Sequence, residues 1–208
     1  MDGKKYSGAS ARTYKLLLNH ALDMSERGHL PSLNDLAHAA EASRATVYRY
    51  FPSQADLVHA LMTHSLNNLI EWQPLADAPM QRLREAYDLL FEDFKLHETL
   101  FRAVLQLTLL PNHALPHPAR LVDGKQHNRG LRVDILKRAV APLANQISSR
   151  EYDKLLQNLS LLFGIESLIV LKDICDLDMD QAKQSLLGCA EIFINDVLKS
   201  NTANQTRL

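Results

Sequence analysis

Ser32-Leu33-Asn34-Asp35-Leu36-Ala37-His38-Ala39-Ala40-Glu41-Ala42-Ser43-Arg44-Ala45-Thr46-Val47-Tyr48-Arg49-Tyr50-Phe51 is the stretch on which the reading of this 208-residue chain turns. Two short helical patterns meet there at a turn of three or four residues. The second helix carries Arg44, Thr46, Tyr48 and Arg49 close to its own start. A helix-turn-helix presents a recognition helix to the major groove of DNA in this way.

Ser32 suits the N-cap of the first of these helices, with Asp35 three residues on as a variant of the capping box. Ser43 caps the second. The N-terminal residues of a recognition helix lie nearest the base edges. Arg44 can donate two hydrogen bonds to a guanine or one to a phosphate, and Thr46 can bond a base or rest its methyl on thymine. The hydroxyls of Tyr48 and Tyr50 suit phosphate oxygens, which position a protein without reading sequence. Leu36, Val47 and Phe51 read as core. The alternative is a surface helical hairpin that carries Arg and Tyr by chance.

Outward from this stretch, helix is the only regular pattern. The first helix is expected over about 11–27, with Leu16, Leu17, Ala21, Leu22 and Met24 inward and Gly28 just past its end. A fourth helix is expected from Ser53 to about Trp72, with Asp56 at its positive end. Residues 80–96 and 97–110 read as two helices, and 111–127, broken by Pro111, Pro116 and Pro118, as a long loop. Helices resume at 131–146, 149–174 and 179–199. The last two are apolar on two sides, so each needs a second partner, and a symmetric copy is the commonest one. Leu162, Ile169, Leu186, Phe193 and Val197 are the expected homodimer contacts.

Composition narrows the function classes. Hydrophobic residues make up 46% of the chain, as in globular proteins. The net charge is −1, so nucleic-acid binding must rest on a local surface. Residues 1–65 hold seven Lys or Arg against six Asp or Glu, and residues 66–208 hold sixteen against eighteen, a weak asymmetry. Cys175 and Cys189 have no metal-binding spacing. No signal-peptide pattern is read, and the longest apolar run, Leu159–Leu171, is too short for a bilayer, so a reducing cytoplasm without membrane attachment is expected. His113 and His117 are four apart, but the neighbouring prolines favour a solvated loop. No catalytic residue, metal site or cofactor is expected, because no nucleophile, zinc or nucleotide motif is present.

The run through Ser32, Leu36-Ala37, Ala40, Ser43, Thr46-Val47-Tyr48-Arg49-Tyr50-Phe51 and Leu57 resembles the DNA-binding domain of the tetracycline-repressor (TetR) family. The resemblance implies an all-α fold. A three-helix DNA-binding domain would occupy 1–55, a helical ligand-binding and dimerisation domain 56–200, and a polar tail 201–208. It implies a phosphate contact at Ser32 and a groove-facing set of Arg44, Ala45, Thr46, Tyr48 and Arg49, with Tyr48 as phosphate anchor. It also implies a basic arm at Lys4 and Lys5. Partners would be double-stranded operator DNA, a second copy of the chain and an unidentified small-molecule effector. The function implied is a sequence-specific regulator of the repressor kind; the alternative is an all-helical small-molecule carrier or enzyme.

The chain departs from the family pattern at two positions. Glu41 stands where the family usually has glycine in the turn, and a left-handed backbone there costs a non-glycine residue roughly 1 kcal/mol. Gln54 stands where a lysine usually opens helix four. An amide can meet a phosphate but releases no counterion, so salt dependence should be weaker than usual. The aromatic residues Trp72, Tyr87, Phe91, Phe94 and Phe101, with Arg102 and Glu166, are the expected effector pocket. Glu166 is the pointed member, because an unpaired carboxylate inside an apolar helix is costly.

Overall fold

The structure is a computed structural model that describes residues 6–27, 30–109 and 131–205, with side chains described for 6–27, 30–106 and 131–199. Lys4, Lys5, Gly28 and the expected loop 111–127, with His113 and His117, lie outside these residues. Among the described residues all regular structure is helical: α1 (Gly8–Glu26), α2 (Leu33–Ala39), α3 (Arg44–Tyr50), α4 (Gln54–Ser65), α5 (Asn67–Glu71), α6 (Pro79–Leu109), α7 (Leu131–Val140), α8 (Ser149–Leu162), α9 (Ile165–Ile169) and α10 (Met179–Gln205). A turn of 3₁₀-helix, Ala141–Leu143, follows α7, and a turn of π-helix, Val170–Ile174, continues α9. The chain divides into two compact units, one of residues 1–66 and 96–120, the other of 67–95 and 121–208.

In the first unit, α1 to α4 enclose one apolar core. Leu17, Leu36, Val47, Leu57, Leu61 and Leu100 are fully buried in it, and Phe51 is 1% exposed. Leu16, expected inward, is half exposed, and Leu18 takes its place in the core. Leu16 and Leu18 are two residues apart, and two residues turn a helix by about 200°, to the opposite side. The fourth helix does not run to Trp72: it ends at Ser65, and α5 is a separate short piece. Its start is set by a complete capping box, Ser53 with Asp56, like the one Ser32 forms with Asp35 at α2. The expected division of 80–96 from 97–110 falls where α6 is two helices joined without a loop, at a kink at His97, whose φ of −128° and ψ of 26° are non-helical.

The second unit is built on the first half of α6 with α7, α8 and α10. Tyr87, Phe91 and Phe94 are fully buried at successive turns of α6. The Tyr87 ring meets Phe163 edge-on at 5.0 Å, and Phe91 meets Phe94 edge-on at 5.5 Å, the geometry aromatic quadrupoles favour. The Tyr87 hydroxyl donates to the Leu162 carbonyl at 3.0 Å. Ion pairs Lys95–Asp180 and Lys183–Asp88 tie α6 to α10 at the surface.

The expected single helix 149–174 is broken at Phe163-Gly164, and its two parts meet at a bend of 48°. Arg132 explains the glycine. Its guanidinium grips both oxygens of Glu166 at 3.0 and 2.9 Å and donates to the Ser160 carbonyl at 3.0 Å. A methyl group at position 164 would collide with both side chains. The last helix reaches Gln205, past the expected end at 199. No single described helix is long and apolar enough to cross a membrane.

Candidate nucleic-acid interface

The recognition helix α3 is seven residues long, too short to be stable alone. Three features hold it. The Ser43 hydroxyl accepts from the Thr46 backbone N–H at 3.1 Å and lies 2.8 Å from the Thr46 hydroxyl. Val47, Tyr50 and Phe51 are buried beneath it. The turn from α2 closes at Glu41, whose φ of 48° is the left-handed conformation expected there. Val47, Tyr50 and Phe51 therefore fix the inner side, which leaves Arg44, Ala45, Tyr48 and Arg49 exposed on the outer one.

The expected contact residues are not equivalent in the structure. Arg44 is exposed, and its guanidinium has no partner among the described residues. Tyr48 is 46% exposed, a large apolar ring left in solvent beside it. Thr46 is half-buried, with its hydroxyl paired to Ser43. The Ser32 hydroxyl donates to Asp35 at 2.7 Å and accepts from the Asp35 N–H at 3.1 Å, so its cap role occupies both functions. The Gln54 amide donates to the Pro31 carbonyl at 2.7 Å and stitches the start of α4 to the start of α2. An open groove between α2 and α3 is lined by Asn34, Asp35, His38, Glu41 and Arg44 among others. Two carboxylates thus flank the arginine.

Tyr50 lies inside the head and does not face solvent. It is 5% exposed, and its hydroxyl is 3.0 Å from the Ser10 hydroxyl of α1. That hydrogen bond, with those from Arg49 and Thr13, draws the phenol below its ordinary pKa. Tyr6 meets its ring edge-on at 4.9 Å and stacks on Tyr14 at 5.1 Å. The expectation of a free hydroxyl failed because Tyr48 and Tyr50 are two residues apart, and two residues turn an α-helix by about 200° to the opposite side.

The expected effector set is divided. Trp72, Tyr87, Phe91, Phe94 and Glu166 belong to the second unit, Phe101 and Arg102 to the first. Trp72 is a tether. Its indole N–H donates to Glu85 at 3.2 Å, and its carbonyl accepts from Arg138. Glu85 also accepts the N–H groups of Leu75 and Ala76 at 3.0 and 2.9 Å, and these bonds hold its carboxyl below the usual range. Glu166 is exposed and paired with Arg132, so the expected need for a partner is met at the surface. Arg102 pairs with Glu98 one turn earlier. Of the expected dimer contacts, Leu186 is 4% exposed, covered by its own subunit. Leu162, Ile169, Phe193 and Val197 are half-buried. The exposed large apolar side chains of 149–174 and 179–199 are instead Leu161 at 74%, Val170 at 48%, Ile174 at 76% and Ile192 at 67%. Leu161 was legible only by placing the helix break, since the apolar wrap of 149–174 assigns no outer side.

The fold and the head together define an all-helical protein with an N-terminal helix-turn-helix. Residues 24–61 match the family model for bacterial regulatory proteins of the tetR family. The HTH-type transcriptional repressor LfrR of Mycolicibacterium smegmatis is 40% identical over 58 residues, a match that spans 28% of this chain and 31% of that relative's length. Two solved structures share the fold. A TetR transcriptional regulator from Rhodococcus sp. RHA1 has a TM-score of 0.61 at 18% identity, over 88% of this chain and 96% of that one. A TetR regulator from Streptomyces coelicolor has a TM-score of 0.57 at 15% identity, over 89% and 97%. Residues 24–61 thus carry a tetR-type helix-turn-helix segment, and the likeness to the two solved structures is one of fold.

Proposed function

We propose that the protein is a homodimeric, cytoplasmic, sequence-specific DNA-binding regulator of transcription, of the repressor kind. The observation that carries this reading is the two-sided construction of α3: Val47, Tyr50 and Phe51 buried, Arg44, Ala45 and Tyr48 offered outward. Two copies would place α3 in successive major grooves about 34–36 Å apart on a palindrome. The contact set is Arg44, Ala45, Thr46, Tyr48 and Arg49. Ser32, Ser43 and Gln54 hold the frame, and Lys4 and Lys5 remain candidates for a basic arm. Leu161 and Ile192 join Leu162, Ile169, Phe193 and Val197 as candidates for the dimer surface.

Control by a small molecule would act by population shift. A ligand that favours one arrangement of the second unit changes the match between the two heads and the operator, and a ligand indifferent to the arrangement changes nothing. Trp72, Tyr87, Phe91 and Phe94 are the candidate effector residues of that unit. Glu166 is left out, because Arg132 already holds its carboxylate. A carrier or enzyme with a decorative hairpin is the competing reading, and Arg44→Ala with Tyr48→Phe separates the two. Loss of operator binding by a folded dimer supports the regulator. Unchanged binding refutes the assignment of α3.

A further inference from the structure

Tyr50 is the residue the sequence reading put on the DNA and the structure puts inside the head. Its neighbour Arg49 is exposed, and the two are joined. The Arg49 guanidinium carbon lies 5.0 Å from the centroid of the Tyr50 ring, and Nη2 donates to the Tyr50 hydroxyl at 3.3 Å. That same hydroxyl is held by Ser10 at 3.0 Å, and the ring is flanked by Tyr6 at 4.9 Å and Tyr14 at 6.2 Å. A chain of contacts thus runs from α1 through a buried phenol to an exposed cation.

Resting on the reading of α3 as the DNA-facing helix, we propose that Tyr50 is a positioning residue that fixes Arg49 as a phosphate contact and keeps it off the bases. Arg49 is the sixth of the seven residues of α3, away from the N-terminal end that lies nearest the base edges. The ring covers one face of its guanidinium, and one of its five N–H donors is taken by the phenol. The remaining donors keep the planar fork that matches two phosphate oxygens. Because the side chain is already held, less rotamer freedom is lost when DNA binds. Arg44 has no such tether among the described residues and retains the reach a base contact needs. The two arginines of α3 are thereby assigned different work, sequence for Arg44 and register on the backbone for Arg49.

The experiment uses the full-length protein and an operator that it selects from random-sequence duplexes. Binding to this operator and to a scrambled duplex is measured against salt for wild type, Arg49→Ala, Tyr50→Phe, Ser10→Ala and the Arg49→Ala/Tyr50→Phe pair, each checked by thermal melting. Arg49→Ala should lower the log–log salt slope by about one per subunit on both duplexes alike. Tyr50→Phe keeps the ring and its packing, and should weaken both complexes by about fivefold. It should add nothing in the Arg49→Ala background. Ser10→Ala should act in the same direction and less. The proposal is overturned if Tyr50→Phe weakens binding as much without Arg49 as with it, or if Arg49→Ala changes the preference for operator over scrambled duplex. If those results come while Arg44→Ala still removes that preference, the positioning role falls alone. A wild-type protein that prefers no duplex removes the DNA-reading role and this proposal together.

Discussion

In the first unit α2 and α3 are seven residues each, held by capped ends, a left-handed turn at Glu41 and side chains buried from one side. In the second, α8 has 14 residues and α10 has 27, and these too start on caps, Ser148 with Glu151 and Asp178 with Gln181. Both regions are all-helical and apolar inside. The first is specified by residues whose chemistry is local: a serine three before an aspartate, an arginine at a helix start. The second carries the same kind of caps but is otherwise specified by shape, since many sequences fill a bundle equally well. The difference explains why the head discloses a candidate role and the bundle discloses only an architecture.

The largest effect should come from the head's core. Phe51→Ala empties a site that is 1% exposed, and core deletions of this size cost about 3–5 kcal/mol. Thermal melting should show the head unfolded or severely destabilised. A loss under about 1 kcal/mol would mean the core is not the anchor of α3. Next is Gly164→Ala in the bundle. The new methyl displaces the exposed ends of the Arg132–Glu166 pair, which can swing aside, and the expected cost is about 1 kcal/mol by denaturant titration. Neutrality would show that the helix break does not depend on the glycine.

Of similar size and opposite sign is Glu41→Gly. At a φ of 48° glycine relieves a strain of about 1 kcal/mol, so the head should gain stability. A loss of stability would mean that the Glu41 side chain matters more than its backbone.

A further test is a pH response of opposite sign in the two units. In the head, burial lowers the pKa of His64 and His97, with Lys15 adding to the shift at His64. At His97, Glu26 opposes the shift and His64 adds to it; Glu26 Oε1 lies 3.6 Å from Nδ1. The unfolded chain therefore takes up protons that the folded head refuses. Head stability is full above the ordinary histidine pKa of 6.5 and falls as pH drops through it. In the second unit Asp93 is 6% exposed, and its Oδ2 has no hydrogen-bond partner. Burial, with Glu92 adding, pushes its carboxyl from 3.8 up to about 7. Between those values the folded unit holds a proton that the unfolded chain releases, so acidification stabilises it. Segment-resolved hydrogen exchange at pH 7.5 and 5.5, corrected for intrinsic rates, should show protection falling in α1 and α4 and rising in the first half of α6. A common direction in both units would contradict the assignment.

These contrasts also mark what the sequence could disclose. Ser32, Ser43 and Ser53 sit three residues before Asp35, Thr46 and Asp56, and such spacings are read without a structure. Glu41 was legible because the family the stretch resembles usually has glycine at that place in the turn. Tyr50 was not, because burial depends on which way α3 rolls against α1, and Ser10 lies forty residues away. Glu166 was misread as interior, because the break at Gly164 places it at a helix start, where it pairs with Arg132 of α7. Leu186 was taken for a subunit contact because an apolar residue does not say whether its own chain or a copy covers it.

The central claim is that the outer side of α3 selects a DNA sequence. The direct measurement is binding of wild type and Arg44→Ala/Tyr48→Phe to an operator selected from random duplexes, set against a scrambled duplex. The account predicts that wild type prefers the operator by about a thousandfold or more, and that the variant, still folded and dimeric, loses most of that preference. Equal preference in both proteins would contradict it.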